Sequence, residues 1–230
     1  LVRFGEPEEI TSAAKPHIGT DRLRCVVAAL RREIEQLGGE VRFRATLTDL
    51  VQREGKLAQA TIQSKDGTET VDCAALLLAI GQGARDTYQM LFDAGVAMAP
   101  KPFAVGVRVE HPQDMIDRAQ LGELAGHPRL GAAEYRLTAQ HGERGVYTFC
   151  MCPGGSVIGS ATANDEIVVN GMSNYARNAK NANAAVVVQV NPGDFANDAL
   201  GGMRFQKEME QAAFRAGGGG GVAPASTLSA

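Results

Sequence analysis

Two cysteines lie one residue apart in the string Phe149–Gly155 (FCMCPGG). On a strand the thiols of Cys150 and Cys152 point to the same face, but a disulfide between them closes only with strain. The sequence has no second cysteine pair and no spaced histidine pair to complete a four-ligand zinc site, so we expect no metal. Two interpretations remain: a strand end that leads into a glycine turn, or thiols that line a redox pocket, with Gly154 letting a flat ring come close.

A glycine-containing motif, Gly81–Asp86 (GQGARD), follows an apolar run and precedes a predicted helix. In one interpretation its backbone N–H groups hold a pyrophosphate at a helix N-terminus, although Asp86 stands where the third glycine of a dinucleotide-binding loop belongs. In another it is a tight turn. In a third, the strand end touches a cofactor whose phosphates are held by another segment. The residues leave these three interpretations open.

Two polar segments are further candidates for a binding pocket. Asn170, Gly171 and Ser173 belong to the string NGMS, whose amide and hydroxyl groups either satisfy a loop backbone or present donors to a polar ligand. His17 precedes the first predicted helix, where it is either structural or part of a pocket. The other histidines lie beside prolines or turns, and the sequence contains no evident Ser-His-Asp order.

Composition excludes several classes of protein. The chain has 230 residues and a formal net charge of −3, so no general field attracts nucleic acid or anionic lipid. The longest apolar run, Cys73–Ile80, is far shorter than the roughly 20 residues that span a bilayer. Four scattered cysteines favour a reducing compartment, and we expect a cytoplasmic protein.

The first part of the chain predicts a helix, a meander and a buried strand. Apolar residues recur at helical spacing from Leu23 to Leu37, after Thr20 or Asp21 as the N-terminal cap. The remaining predicted elements of this part are a short strand at 41–43, a meander at 46–53, 57–64 and 68–73, and a strand buried on both faces at 74–80.

The second part of the chain is predicted to contain three helices and a β-rich block. Alternating apolar residues and turn signals define these elements. The predicted helices are 84–92, 112–121 and 203–216; the predicted strands are 103–110, 135–140, 146–151, 156–161, 167–169 and 184–190; residues 222–230 are a tail.

Several strings together resemble a family of bacterial FAD-dependent dehydrogenases, from about residue 10 to 216. The matching strings are Lys15–Asp21 (KPHIGTD), Leu78–Gly81 (LAIG) with Ala84–Thr87 (ARDT), Phe103–Pro112 (FAVGVRVEHP), Phe149–Gly155 (FCMCPGG), Asn170–Ser173 (NGMS), Asn181–Asn183 (NAN) and Phe205–Glu208 (FQKE). Members of this family are similar to glutathione-reductase-like flavoproteins, in which a cap domain interrupts an FAD-binding α/β domain.

The resemblance implies an oxidoreductase with FAD as cofactor, acting on a small-molecule substrate that it does not identify. It implies that Ala79, Ile80 and Gly81 pass near the cofactor, and that Leu47 offers backbone groups to adenine. His17 and Thr20 then line the same pocket. The candidate catalytic residues are Cys150 and Cys152, and the candidate substrate or pocket residues are Gly154, Asn170, Gly171 and Ser173.

The implied fold is mixed α/β (α+β): a partial FAD-binding domain of helix, parallel strands and β-meander, with an inserted β-rich cap domain. We expect an internal fragment of a longer flavoprotein, whose missing N- and C-terminal segments hold the pyrophosphate and close over the flavin. The expected divisions are 1–98 for the FAD domain, 99–200 for the cap, 201–216 for a helix returning to the FAD domain and 217–230 for a glycine-rich tail. Alternatives are a non-catalytic binding module, or a self-sufficient nucleotide-binding domain that uses Gly81–Asp86.

Overall fold

The computed structural model describes residues 1–227. The chain divides into two compact units, which we describe separately. The first unit contains residues 1–39, 102–191 and 208–230, and the second contains residues 40–101 and 192–207.

The described residues form four α-helices, nine strands and four short 3₁₀ helices. The α-helices are α1 (Thr20–Gln36), α2 (Arg85–Asp93), α3 (Gln113–Leu121) and α4 (Gly201–Ala216). The strands are β1 (Thr46–Arg53), β2 (Lys56–Ser64), β3 (Gly67–Asp72), β4 (Phe103–Pro112), β5 (Thr138–His141), β6 (Arg144–Cys152), β7 (Gly155–Ser160), β8 (Val168–Ser173) and β9 (Asn181–Val190). The 3₁₀ helices are Val2–Phe4, Glu8–Thr11, Gly122–Leu124 and Pro192–Asp194.

The second unit contains the predicted meander. Strands β1, β2 and β3 form an antiparallel sheet in that order, and tight turns join them. Gly55 at the first turn has φ +74°, a conformation that favours glycine. The prediction of three short strands between residues 46 and 73 is therefore confirmed.

The predicted buried strand at 74–80 is wrong. In the described part of the chain these residues form no strand, and Leu77 is 91% exposed. A strand buried on both faces needs neighbouring strands and covering helices, and β1, β2 and β3 pair only among themselves. All strand pairs among residues 1–227 are antiparallel, so the expected parallel strands are not found there.

Two local predictions near α1 are also corrected. Residues 41–43, predicted as a strand, form no regular element, and Arg42 is instead held by ion pairs with Glu40 and Glu69. Helix α1 begins as predicted, but Gly19 occupies its cap position without a side-chain hydrogen bond. Thr20 directs its hydroxyl to another segment.

The first unit is built on a four-stranded antiparallel sheet in the order β4-β9-β6-β5. Strand β9 pairs with β4 along its whole length, from Phe103 opposite Val190 to Pro112 opposite Asn181. Strands β7 and β8 form a separate two-stranded ribbon that contacts β4, β6 and β9. The prediction of a β-rich block is confirmed, with strand ends shifted by up to four residues.

Helix α1 in the first unit follows the predicted apolar spacing, but much of its apolar face is exposed. Val26 is buried at 2% exposure, whereas Val27, Ile34 and Leu37 are 56%, 48% and 78% exposed. Among the described residues, no helix has both the length and the apolar character needed to cross a membrane.

The C-terminal part of the chain contains α4 and the segment after it. Helix α4 covers the predicted 203–216 and begins two residues earlier, so that prediction is confirmed. Residues 222–227 of the predicted tail have no regular secondary structure, and residues 228–230 lie outside the described residues.

Candidate functional site

A charged side chain and an amide side chain meet at the centre of the first unit. Arg108 on β4 donates from Nη1 to Oδ1 of Asn183 on β9 at 2.6 Å. The same nitrogen donates to the backbone carbonyl of Cys150 on β6 at 3.1 Å. Asn183 is completely buried, between Ala182 and Ala184, which are also fully buried. Arg108 therefore connects β4 to the strand beside it and to β6.

Gly171 on the ribbon packs directly against this pair. A Cβ atom at Gly171 would lie 2.1 Å from Arg108 Nη1 and 2.2 Å from Asn183 Oδ1, which no side chain tolerates. Two buried donors of the pair, Arg108 Nε and Asn183 Nδ2, find no hydrogen-bond partner among residues 1–227. Unsatisfied buried donors are uncommon and are often found at functional sites.

The two cysteines occupy a bulge in β6. Phe149 pairs with Ala185 and Cys152 with Asn183, so β6 has one residue more than β9 across this interval. Cys150 has φ +48°, a left-handed conformation that is rare outside glycine. Cys150 is exposed, whereas Cys152 is buried.

The pKa of the buried Cys152 thiol differs from its usual value. Burial raises the pKa of Cys152, and the neighbouring Cys150 thiol raises it further, while the positive charge of Arg108 opposes both effects. We use the name Arg108 cluster for Arg108, Cys150, Cys152, Gly171 and Asn183.

The glycine turn after Cys152 is tightly held. Gly154 donates its N–H to Oε1 of the buried Gln113 at 2.8 Å. Gly154 has φ +47°, and a Cβ atom there would lie 1.8 Å from the carbonyl oxygen of Arg177. Only glycine fits this contact between the turn and the segment that follows β8.

The start of α1 packs against the end of β8. Nε2 of His17 lies 2.9 Å from the carbonyl oxygen of Asn174, and Thr20 donates its hydroxyl to the carbonyl of Ser173 at 3.3 Å. The backbone N–H of Tyr175 donates to Oδ1 of Asp21 at 2.8 Å. This hydrogen bond holds the pKa of Asp21 below its usual range.

A bridging carboxylate adds a second link between the same two segments. Glu134 accepts hydrogen bonds from Lys15 Nζ at 2.7 Å and from Arg177 Nη1 at 2.9 Å. Burial alone would raise the pKa of Glu134, but hydrogen bonds and charge from Lys15 and Arg177 outweigh it and lower that pKa.

A cavity of about 280 Å³ adjoins the start of α1. Its lining residues are Phe4, Gly5, Glu6, Asp21, Arg22, Cys25 and Val26.

The structure thus joins several predicted site residues through contacts in the first unit. His17 and Thr20 contact the segment at Ser173, and Ser173 lies opposite Gly155 in the ribbon. Gly171 links that ribbon to the Arg108 cluster. Asn170 is exposed on β8 opposite Ile158.

The other predicted cofactor residues belong to the second unit. Leu47 is half-buried on β1 opposite Ile62, and Ala79 and Ile80 lie in the segment that forms no strand. The carbonyl of Gly81 accepts a hydrogen bond from the Tyr88 hydroxyl at 3.2 Å.

Of the context that the phosphate-loop interpretation of Gly81–Asp86 needs, the preceding strand is not found in the described chain, whereas the following helix is α2. The Asp86 carboxylate accepts a hydrogen bond from the N–H of Thr87 at 2.8 Å, in the first turn of α2. The loop has the geometry of a tight turn that leads into a helix.

Sequence reasoning did not select Arg108 and Asn183 as site residues, although both lie in strings that carry the family resemblance. A signal was present: each is a polar side chain within an otherwise apolar or small-residue strand. Among residues 1–227, no three His, Cys, Asp or Glu side chains gather in a metal-ligand arrangement.

Comparison with known proteins gives a family and a longer relative. Residues 102–230 match the family described as "FAD-dependent protein, C-terminal domain-like". A protein of Clostridium beijerinckii, described as an uncharacterized protein, is 48% identical over 227 residues, which cover 97% of this chain and 42% of the relative. The chain therefore spans less than half the length of this relative. Because the family match covers more than half of its residues, the chain belongs to the FAD-dependent protein, C-terminal domain-like family.

Proposed function

We propose that this chain is part of an FAD-dependent oxidoreductase and contributes the cap domain together with part of the flavin-binding region. The observation that carries the proposal is the contact network of the first unit, within a chain of the FAD-dependent family. That network joins the segment at His17, the ribbon residue Ser173 and the Arg108 cluster. These segments contain strings that carry the resemblance to flavin-dependent dehydrogenases.

A polar pair of the first unit supports an exposed residue. Arg108 bonds to the buried Asn183 and holds the backbone carbonyl of the exposed Cys150. FAD, when bound, supplies the ring that accepts and donates electrons. In this proposal Arg108 and Asn183 hold the backbone of Cys150 in position near that ring, and Gly154 keeps the turn free of side chains.

Two apolar surfaces support the proposal that further segments complete the protein. In the second unit Leu76, Leu77 and Leu78 are 37%, 91% and 42% exposed. In the first unit, half or more of the Val27 and Leu37 side chains is exposed on one face of α1. We propose that the pyrophosphate-binding and closing segments of the longer protein cover these surfaces, since contiguous exposed apolar patches mark sites of interaction.

The test is the visible absorption spectrum of three purified proteins. These are this chain, the full-length Clostridium relative and the part of that relative that aligns with this chain. We expect flavin absorption bands from the full-length relative only, because Gly81–Asp86 lacks the strand that a phosphate-binding loop follows.

Two other outcomes would each support a rival function. A full-length relative that stays colourless after incubation with FAD would contradict the proposal and favour a non-catalytic binding module. A yellow preparation of this chain alone would favour a self-sufficient nucleotide-binding domain.

A further inference from the structure

Cys150 and Cys152 lie in the bulge of β6, where the backbone leaves the path of a regular strand. In an undisturbed strand the Cα atoms of residues i and i+2 are about 6.6 Å apart, near the upper limit for a disulfide. The positive φ of Cys150 and the extra residue between Phe149 and Cys152 remove the chain from that extended path. The backbone at Cys150 and Cys152 therefore differs from the regular strand that the sequence predicts.

A contact of the Cys152 sulfur shows that this thiol lies beside the backbone of Cys150. The Cys152 Sγ lies 3.4 Å from the carbonyl oxygen of Cys150 and donates to it. Burial raises the pKa of Cys152, and the Cys150 thiol raises it further through its charge and a side-chain hydrogen bond. The 3.4 Å contact places the buried thiol next to the exposed residue.

The two thiols differ in their exposure to solvent, and each therefore has a different role in the proposal below. Cys150 is exposed and can meet a small molecule, whereas Cys152 is buried behind it. Arg108 Nη1 holds the carbonyl of Cys150 at 3.1 Å and so fixes the bulge. The guanidinium also favours the thiolate of Cys152, since its charge opposes the effect of burial.

We propose that Cys150 and Cys152 form a reversible redox pair that exchanges electrons with low-molecular-weight disulfides of the glutathione class. The thiolate of Cys150 attacks one sulfur of the small disulfide, whose S–S bond breaks, and one thiolate leaves and takes a proton from water. The thiolate of Cys152 then attacks the Cys150 sulfur of the mixed disulfide and releases the second small thiol. In total, two protein thiols and one small disulfide become one protein disulfide and two small thiols.

The exchange also runs in reverse. A disulfide between residues two apart is strained, and strained disulfides are more easily reduced than structural ones. The oxidised pair therefore acts as an acceptor of electrons from thiols. This inference goes beyond the flavin-dependent function proposed above and requires no flavin.

The experiment uses this chain without flavin. The reduced protein is incubated in glutathione buffers of increasing oxidised fraction, quenched by acid, alkylated and digested with trypsin. Trypsin leaves Cys150 and Cys152 on the single peptide 145–177 and places Cys25 and Cys73 on two other peptides. We expect peptide 145–177 to lose two hydrogen atoms and to escape alkylation.

Matched variants identify the role of each thiol. Cys152→Ser should accumulate one glutathione on Cys150, because no second thiol resolves the mixed disulfide. Cys150→Ser should give no oxidised peptide, since Cys152 is buried. The double variant Cys25→Ser/Cys73→Ser should behave as the parent chain.

The parent chain alone can overturn the proposal, whether or not the variants fold. Full alkylation of peptide 145–177 at every glutathione ratio would overturn it. So would accumulation of glutathione on peptide 145–177 of the parent with no form of the peptide that has lost two hydrogen atoms. Neither result changes the outcome of the flavin test, because that test measures the colour of the longer protein.

Discussion

Arg108 and Asn183 are joined by a 2.6 Å hydrogen bond across neighbouring strands, at a position where Asn183 is completely inaccessible to solvent. Hydrogen bonds to a charged group contribute about 1.5–3 kcal/mol. Because Arg108 also holds the carbonyl of Cys150, this one side chain connects three strands of the sheet. The position of the cysteine bulge therefore depends on the Arg108–Asn183 pair.

The first prediction concerns the contact between the ribbon and this pair. Gly171→Ala would place a methyl group 2.1 Å from Arg108 Nη1, so the guanidinium must move. We expect a loss of about 2–4 kcal/mol in the free energy of unfolding, from overpacking and a weakened buried hydrogen bond. Urea denaturation of parent and variant measures it.

The matched control is Gly159→Ala on β7 of the same ribbon. Its new Cβ would meet only Ile167 Cδ1, at the ordinary distance of 3.7 Å. We expect a change within about 0.5 kcal/mol. Equal effects of the two substitutions would contradict the packing of Gly171 against the Arg108 cluster.

The second prediction tests how α1 is attached. Gly19 and Gly38 lie at opposite ends of this helix with similar φ values, +82° and +86°. A Cβ atom at Gly19 would lie 2.1 Å from the backbone nitrogen of Tyr175, whereas one at Gly38 would have no neighbour within 4 Å. Thermal or urea unfolding should show a loss of about 1 kcal/mol for Gly38→Ala and at least twice that for Gly19→Ala.

Equal destabilisation by these two alanines would mean that only backbone strain matters. The start of α1 would then not be packed against the segment after β8.

The third prediction concerns the carboxylate that links Lys15 and Arg177. The pKa of Glu134 is lowered in the folded protein, so its ion pairs stabilise the fold above the usual glutamate pKa of about 4.3 and are lost as the pH falls below it. Glu134→Gln should be less stable than the parent by about 1 kcal/mol near neutral pH, because the pairs are partly exposed and screened. The difference should shrink in acid, as urea denaturation at several pH values would show.

Glu69→Gln is the control for Glu134, since Glu69 forms an exposed ion pair with Arg42. We expect a change of a few tenths of a kcal/mol at most. A Glu134→Gln chain with the parent's stability across the whole pH series would show that this bridge does not stabilise the fold.

The fourth prediction concerns the exposed leucine segment of the second unit. Leu77→Ser should leave the unfolding free energy of this chain within about 0.5 kcal/mol of the parent, because the side chain is 91% exposed. Leu91→Ala on α2, where the side chain is 2% exposed, should cost about 2–5 kcal/mol. A large loss for Leu77→Ser in urea denaturation would mean that residue 77 is buried after all.

Local patterns in the sequence were enough to predict the elements whose stability is local. Apolar spacing gave α1, and the turns at Gly55 and Gly67 separated the strands of the meander. The strand prediction at 74–80 was wrong because an apolar stretch shows that burial would be favourable. It does not show that neighbouring strands are present to bury it. Neighbouring strands are a property of the whole chain.

The candidate site was only partly predictable for the same reason. The cysteines and the NGMS string stand out by composition, and their proposed roles stay predictions. Arg108 and Asn183 are 75 positions apart, so no local spacing could join them. Thr20 or Asp21 was expected to cap α1, but the Thr20 hydroxyl bonds to Ser173, which lies 153 positions away.

The central place of β9 in the sheet determines the order in which the chain can fold on the ribosome. Strand β4 ends at Pro112 and its partner begins only at Asn181. At about 5–20 residues per second, several seconds of translation separate the two. Until β9 is synthesised, β4 and β6 each lack the partner strand that covers one of their edges. Chaperones that bind exposed strand edges would therefore act on the nascent chain in this interval.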